Sequence, residues 1–176
     1  GEGGALLVND PELVDRARII WEKGTNRDAF NRGTVSKYTW IDKGSSFLPS
    51  ELTAAFLFGQ LEESERIIEH RLHLWEHYRR RLQPLAECGL AKLPGTGRHD
   101  KANGHLFYLI METLEQRDRL IDHLKQWGIM AAFHYVPLHS SPAGIKYGRH
   151  VGTMDATDRA SDGLLRLPLH NRLTEA

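Results

Sequence analysis

The sequence predicts an α/β chain of two lobes joined by a single long helix. Two observations carry that reading. An apolar, aromatic-rich run from His105 to Glu112 is followed by an amphipathic stretch, Leu114 to Trp127, and a second apolar run, Ile129 to Val136. Strand, helix, strand in that order reads as a small α+β lobe. Upstream, Leu52, Ala55, Phe56, Gly59, Leu61, Ile67, Ile68, Leu72, Trp75, Tyr78 and Leu82 recur at three-to-four spacing, as a helix with one buried face requires. Between Ser50 and Pro84 that helix would run roughly 50 Å. This is too long for the middle of a compact small domain, so the helix links two lobes or forms a dimer surface.

Taken in order, Gly1 to Gly4 form a turn that feeds a short apolar strand, Ala5 to Val8. Asn9, Asp10, Pro11 and Glu12 open a helix with an Asx cap, proline at the first helical position and an acidic first turn. Gly24 closes it. Thr25 to Asp42 is polar and irregular, with aromatics at Phe30, Tyr38 and Trp40; a stretch of this kind is usually functional or mobile. Ser50 is the expected N-cap of the long helix, after Pro49, and Pro84 is its expected end. A loop from Cys88 to Gly104, with Pro94, Gly95 and Gly97, precedes the strand–helix–strand unit. Ser140 to Asp155 reads as glycine-rich loop, Thr157 to Leu165 as a short helix, and Arg166 to Leu169 as a last strand.

Composition sets bounds on function. The 176 residues hold one ordinary domain or parts of two, and 40% hydrophobic content with a mean hydropathy of -0.46 describes a soluble globular protein. Lysine plus arginine equals aspartate plus glutamate at 23 each, so no net field points to nucleic acid or a membrane surface. The single cysteine, Cys88, excludes an internal disulfide framework and a cysteine-rich zinc site and fits a reducing, cytoplasmic compartment. No run approaches the roughly 18 apolar residues of a membrane span. The chain opens on GEGGALLVND without a starting Met and stops at HNRLTEA, so both ends are expected to be cut from something larger.

Several residues invite chemistry. Gly1, Glu2, Gly3 and Gly4 precede a strand, whereas dinucleotide fingerprints follow one, so they read as a turn. Ser45 and Ser46 follow Gly44 just before a helix start, where hydroxyls and amides make an anion site. The alternative is simple capping by Ser50 beside two incidental serines. His70, His73 and His77 share one helix face, but among Arg71, Glu76, Arg79, Arg80 and Arg81 they read as a solvated basic face rather than a metal site. His134 and His139 bracket Tyr135, Pro137 and Leu138 at a strand end, a usual place for substrate contacts. Strand alternation would send His134 and Tyr135 to opposite faces. His134 reads equally as structural or functional. Tyr38 and Trp40 either stack on a planar ligand or pin their loop. His105 reads as a strand-edge polar residue and Cys88 as inert.

The runs GEGGALLVND, EKGTNRDAFNRG, KYTWIDKGSSFLPSELTAAFLFGQLE, HLFYLIME, FHYVPLHSSPAG and LLRLPLHNRLT together resemble the sugar-nucleotide aminotransferases of the DegT/DnrJ type, over nearly the whole chain. The resemblance implies the C-terminal part of a fold-type I transferase dependent on pyridoxal 5'-phosphate. It implies the end of the large domain at 1–58, a connecting long helix at 59–83 and a small α+β domain at 84–176. It also implies that the Schiff-base lysine lies upstream of Gly1, so no residue of this chain is expected to be catalytic. Ser45 and Ser46 would touch the cofactor phosphate. Ser46 stands where many relatives place an asparagine that reaches across a dimer, and Leu48 stands where they place arginine. Tyr38, Trp40, His134, Tyr135 and His139 would face the substrate.

The implied activity is transamination of a dTDP-4-keto-6-deoxyhexose to the 4-amino sugar, with glutamate as donor, in surface polysaccharide biosynthesis. The implied assembly is a homodimer with a shared site and no metal. Two rivals stay open: a deoxysugar dehydratase of the same family, and a non-catalytic dimerising fragment.

Overall fold

The computed structural model describes residues 3–95 and 102–174. The turn expected at Gly1–Gly4 lies partly outside these residues, and Gly97 lies wholly outside them. The chain divides into two units, Gly1–Glu62 and Glu63–Ala176.

In the first unit, α1 (Pro11–Trp21) starts as its sequence dictates, with the Glu12 amide donating to Asp10 Oδ1 at 2.9 Å. It stops at Gly24, whose φ of +79° is accessible to glycine and whose amide donates to the Ile19 carbonyl. The irregular stretch holds a short helix, α2 (Arg27–Asn31). Two arginines and two aspartates tie it to α1. Arg18 lies 3.3 Å from Asp15 and 3.5 Å from Asp28, and Arg32 lies 2.9 Å from Asp28 and 3.7 Å from Asp15. Sequence periodicity misses α2 because it is too short to repeat a face. Ala5 to Val8 forms no strand: Leu6 and Leu7 are exposed, and no described residue pairs with them. An apolar run becomes a strand only where a partner supplies the ladder.

The long helix is two helices. α3 (Glu51–Glu62) takes its cap from Ser50, whose Oγ accepts from the Thr53 amide at 3.2 Å. Glu63 interrupts, and α4 (Ser64–Glu87) follows. Pro84 does not end α4 but sits inside its last turn, where little helix remains for the missing N–H to disrupt. The expected buried face also divides. Leu52, Phe56 and Leu61 of α3 are exposed, whereas Trp75, Tyr78 and Leu82 of α4 pack against the core.

The second unit builds a split β–α–β fold. β1 (Phe107–Ile110), α5 (Leu114–Gln126) and β2 (Ala132–Phe133) follow in sequence. After a 3-10 turn at Leu138–Ser140, α6 (Pro142–Tyr147) and α7 (Asp155–Gly163), β3 (Leu164–Leu167) returns between the first two strands, antiparallel to both. β1 and α5 lie where the pattern puts them, whereas the later elements depart from it. β2 spans two residues of the expected eight, α6 appears in the expected loop, and α7 and β3 start two residues early. β3 offers only Arg166 and Leu165 to β2, which limits that strand's length.

Register places Phe107 opposite Leu167 and Leu109 opposite Leu165, so these four share the inner sheet face. Phe107 and Leu165 are fully buried. Phe107 is gripped by two aromatics of α4: Trp75 meets it edge-on at 5.5 Å and Tyr78 stacks on it at 5.2 Å. Leu120, Ile121 and Leu124 of α5 close the same core. α5 is capped by Thr113, whose Oγ accepts from the Gln116 amide at 3.2 Å.

Phe107→Ala should cost the second unit about 3–5 kcal/mol, the range for emptying a buried aromatic site. Denaturant unfolding followed by circular dichroism would show it. Tyr78 yields a pH signature. Its hydroxyl donates to the Pro168 carbonyl at 2.9 Å, and burial pushes its ionisation above the ordinary tyrosine value of about 10. The stability owed to the neutral phenol should be complete below that value and fall as pH rises through the raised one. A Tyr78→Phe variant should lack this alkaline decline.

Candidate functional site

The residues expected to face ligands fall into two groups, one in each unit. In the first unit the loop after α2 is folded back on the end of α1. The Ile41 and Asp42 amides both donate to the Gly24 carbonyl, and Trp40 bridges to Thr25. Gly24 and its facing loop approach so closely that a Cβ on Gly24 would overlap the Asp42 carbonyl and one on Gly44 would overlap the Gly24 backbone. The Lys23 amide donates to the Ser45 carbonyl, the Ser45 amide to Ile20, and the Phe47 amide to Trp21. Arg16 pairs with Asp42, and bonds from the Lys43 amide and Arg16 hold the Asp42 carboxyl below the usual carboxylate range.

These bonds fix the serines but leave their donors open. Ser45 and Ser46 are exposed, and among the described residues neither hydroxyl nor the Ser46 amide has a hydrogen-bond partner. They lie at the C-terminal end of α1 rather than on the first turn of α3, which Ser50 alone caps. A phosphate here would therefore meet two hydroxyls and one amide on a pinned backbone, with no help from a helix start. Tyr38 packs on Phe30 with ring centroids 5.7 Å apart, and the Trp40 indole N–H donates to the Asp42 carbonyl at 2.7 Å while 75% of the residue stays exposed.

In the second unit, β2 ends at Phe133 and delivers His134 and Tyr135 just beyond it. Alternation therefore stops, and the two rings sit 5.3 Å apart rather than on opposite faces. Three contacts hold the pair. Arg166 Nη2 donates to the Phe133 carbonyl at 3.2 Å, its guanidinium lies 5.7 Å from the Tyr135 ring, and Ser161 Oγ donates to the Tyr135 carbonyl at 3.2 Å. Tyr135 is 74% exposed, whereas His134 is half-buried and its Nδ1 is buried without a hydrogen-bond partner among the described residues. His139 lies on the 3-10 turn with Nε2 3.0 Å from Asp158 of α7 and its ring 5.3 Å from that of His150.

His134 lines a cleft of about 530 Å³ together with Arg117, Phe133, Asp158 and Asp162. Pattern reading missed Arg117, Arg166 and Ser161. Arg117 was detectable, because Leu114, Arg117, Ile121 and Leu124 share one stripe of α5 and a charge on an apolar stripe is a signal. Arg166 and Ser161 become relevant only when β3 and α7 meet the end of β2. His70 departs from the solvated face expected of it, since its Nε2 is buried. Among the described residues no group of three or more His, Cys, Asp or Glu is placed to hold a metal, and no helix is long and apolar enough to cross a membrane.

His139→Ala should cost about 1 kcal/mol, as loss of one partly exposed charge-assisted contact. Hydrogen exchange should quicken along α7 and the 138–140 turn while β1 stays protected.

The model of the DegT/DnrJ/EryC1/StrS aminotransferase family matches residues 1–176. The chain is 32% identical over 172 residues to the dTDP-3-amino-3,4,6-trideoxy-alpha-D-glucose transaminase of Streptomyces venezuelae, covering 96% of this chain and 41% of that protein. It is 30% identical over 175 residues to the erythromycin biosynthesis sensory transduction protein EryC1 of Saccharopolyspora erythraea, covering 99% and 44%. Its fold superposes on S. venezuelae DesV, solved in complex with a ketimine intermediate, with a TM-score of 0.76 and 29% identity over 96% of this chain and 42% of that one. The chain thus spans under half the length of these relatives.

Proposed function

The chain belongs to the DegT/DnrJ/EryC1/StrS aminotransferase family, and from that premise we propose that it is the C-terminal part of a pyridoxal 5'-phosphate-dependent sugar-nucleotide aminotransferase. The family match along all 176 residues carries the reading. Relatives named as transaminases of dTDP-sugars and of a UDP-aminopentose support it. The finer proposal is amination at C4 of a dTDP-4-keto-6-deoxyhexose, with glutamate as donor, in the cytoplasm. Residues 1–58 would close the large domain, 59–83 connect, and 84–176 form the small domain.

The open donors of the first unit fit the cofactor's phosphate. Ser45 and Ser46 would hold it through two hydroxyls and the Ser46 amide, and the backbone bonds to Ile20, Trp21 and Lys23 keep those donors in place. Phosphate is an acceptor, and a loop offering two hydroxyls and an amide free to donate suits it. The cofactor supplies the electron sink for moving an amino group. Tyr38 and Trp40 would wall the mouth, with the Trp40 ring fixed through its N–H to Asp42. His134, Tyr135 and His139 would bind and orient the sugar nucleotide. His139 does so through the turn it ties to α7, because its Nε2 already meets Asp158.

A homodimer with a shared site completes the proposal. α3 is apolar, and none of its residues is buried; Leu52 and Phe56 are among its exposed side chains. Such a helix belongs in an interior or an interface.

Ser46→Ala in a protein carrying this chain and its upstream half should weaken cofactor retention about tenfold, as the loss of one charge-assisted bond implies. The chemical step at saturating cofactor should change little. A dimer of Ser46→Ala subunits with subunits lacking the Schiff-base lysine should recover normal affinity at its lysine-bearing site; failure to do so would remove the cross-subunit contact. The 176-residue chain alone, treated with pyridoxal phosphate and borohydride, should show no stoichiometric adduct at one lysine. Such an adduct would overturn the assignment of catalysis to an upstream residue.

A further inference from the structure

A buried carboxylate stands opposite Ser46 and has no part in the contacts proposed for the cofactor. Glu22 is 7% exposed and forms an isolated antiparallel bridge with Ser46. The Lys23 amide donates to the Ser45 carbonyl at 3.0 Å and the Phe47 amide to the Trp21 carbonyl at 3.2 Å. These bonds bracket Glu22 and Ser46 as a non-hydrogen-bonded pair, with Cα atoms about 4.5 Å apart and both side chains on one face. Two cations share the carboxylate. Lys23 Nζ lies 3.3 Å and Arg27 Nη1 3.4 Å from the same oxygen, Oε1, and both side chains are half-exposed. Lys23 is also the one non-glycine among the described residues with a positive φ, +60°. That region disfavours any side chain, so a lysine persists there only where surrounding bonds hold it.

The charges of this trio do not cancel. One carboxylate against two cations leaves a positive charge in excess beside Ser46. Nearby Asp42 is paired with Arg16 and adds none. A dianion at the Ser46 hydroxyl would therefore meet opposed influences on one face: repulsion from Glu22, and attraction from Lys23 and Arg27. The cations are the mobile members. Their half-exposed side chains have no ion-pair partner but Glu22 among the described residues, and a dianion is a stronger acceptor than a shared carboxylate oxygen. Glu22, enclosed at the end of α1, stays where it is.

We infer that Glu22, Lys23 and Arg27 regulate how tightly the Ser45–Ser46 loop holds its anion: Lys23 and Arg27 turn from Glu22 to the bound dianion, and the buried Glu22 carboxylate limits its retention. This rests on the reading of Ser45 and Ser46 as the phosphate contacts and adds a control on cofactor exchange. The serines remain the direct donors, and the three charged residues tune the field in which those donors act.

The test is retention of pyridoxal phosphate, measured by dialysis at low salt, in a protein carrying this chain and its upstream half. Glu22→Gln keeps an acceptor oxygen for both cations but removes the charge, and should tighten retention about three- to tenfold. Lys23→Met and Arg27→Met should each weaken it by a similar factor. Molar salt should erase these differences, and pyridoxal, which has no phosphate, should bind every variant equally. A Glu22 that merely ties the turn together predicts the reverse sign, so weaker or unchanged retention in folded Glu22→Gln overturns the inference. If Glu22→Gln does not fold, Lys23→Met and Arg27→Met decide, being at half-exposed positions. Unchanged retention in both, or an equal loss for pyridoxal, then overturns it. Retention that falls in Ser46→Ala but ignores the three charge variants rejects this control alone. Retention indifferent to Ser46→Ala removes the phosphate reading and this inference with it.

Discussion

The contact of Phe107 with Trp75 and Tyr78 is the interaction on which the second unit depends. It joins α4 to β1, the one strand that α4's aromatics grip, and Tyr78 carries the connection on to Pro168 beyond β3. Aromatic pairs add about 0.5–1.5 kcal/mol beyond the area they bury. With only a few fully enclosed side chains available, that margin is a large part of what orders this sheet. β3 then fixes the rest, because among the described strands it alone is bonded to both others.

The central position of β3 also explains why the residues proposed to face a ligand sit where they do. Leu165 faces the core and Arg166 the other side, so one strand supplies both the packing and the clamp on the end of β2. β2 is too short to carry its period to His134 and Tyr135. Their placement is set instead by Arg166, Ser161 and the half-buried surroundings of His134. A site built at a strand end in this way can present adjacent side chains to one ligand, which a regular strand forbids.

The first unit is organised by backbone rather than by side-chain burial. Gly24 and Gly44 permit two chain segments to touch, and five amides lock the loop that carries Trp40, Ser45 and Ser46. α1 and α3 contribute no buried residue. The loop is thus held in one shape by hydrogen bonds that need an exact backbone approach, while the apolar side chains of α3 stay exposed.

The sequence by itself determined the element types with strong local signals. The Asp10 and Ser50 caps, the apolar run of β1 and the stripe of α5 all appear where the residues place them, because capping and periodicity are local. The family was legible too, since six motifs in order are a property of the sequence. The break at Glu63, the tolerance of Pro84, the unpaired state of Ala5 to Val8 and the two-residue β2 were decided by tertiary structure. Each depends on whether a partner segment is present to accept a hydrogen bond or cover a face. The Arg117 cleft belongs to the same class: the guanidinium was readable on an apolar stripe, but its place in one cleft with His134 emerges only when α5, α7 and the end of β2 come together.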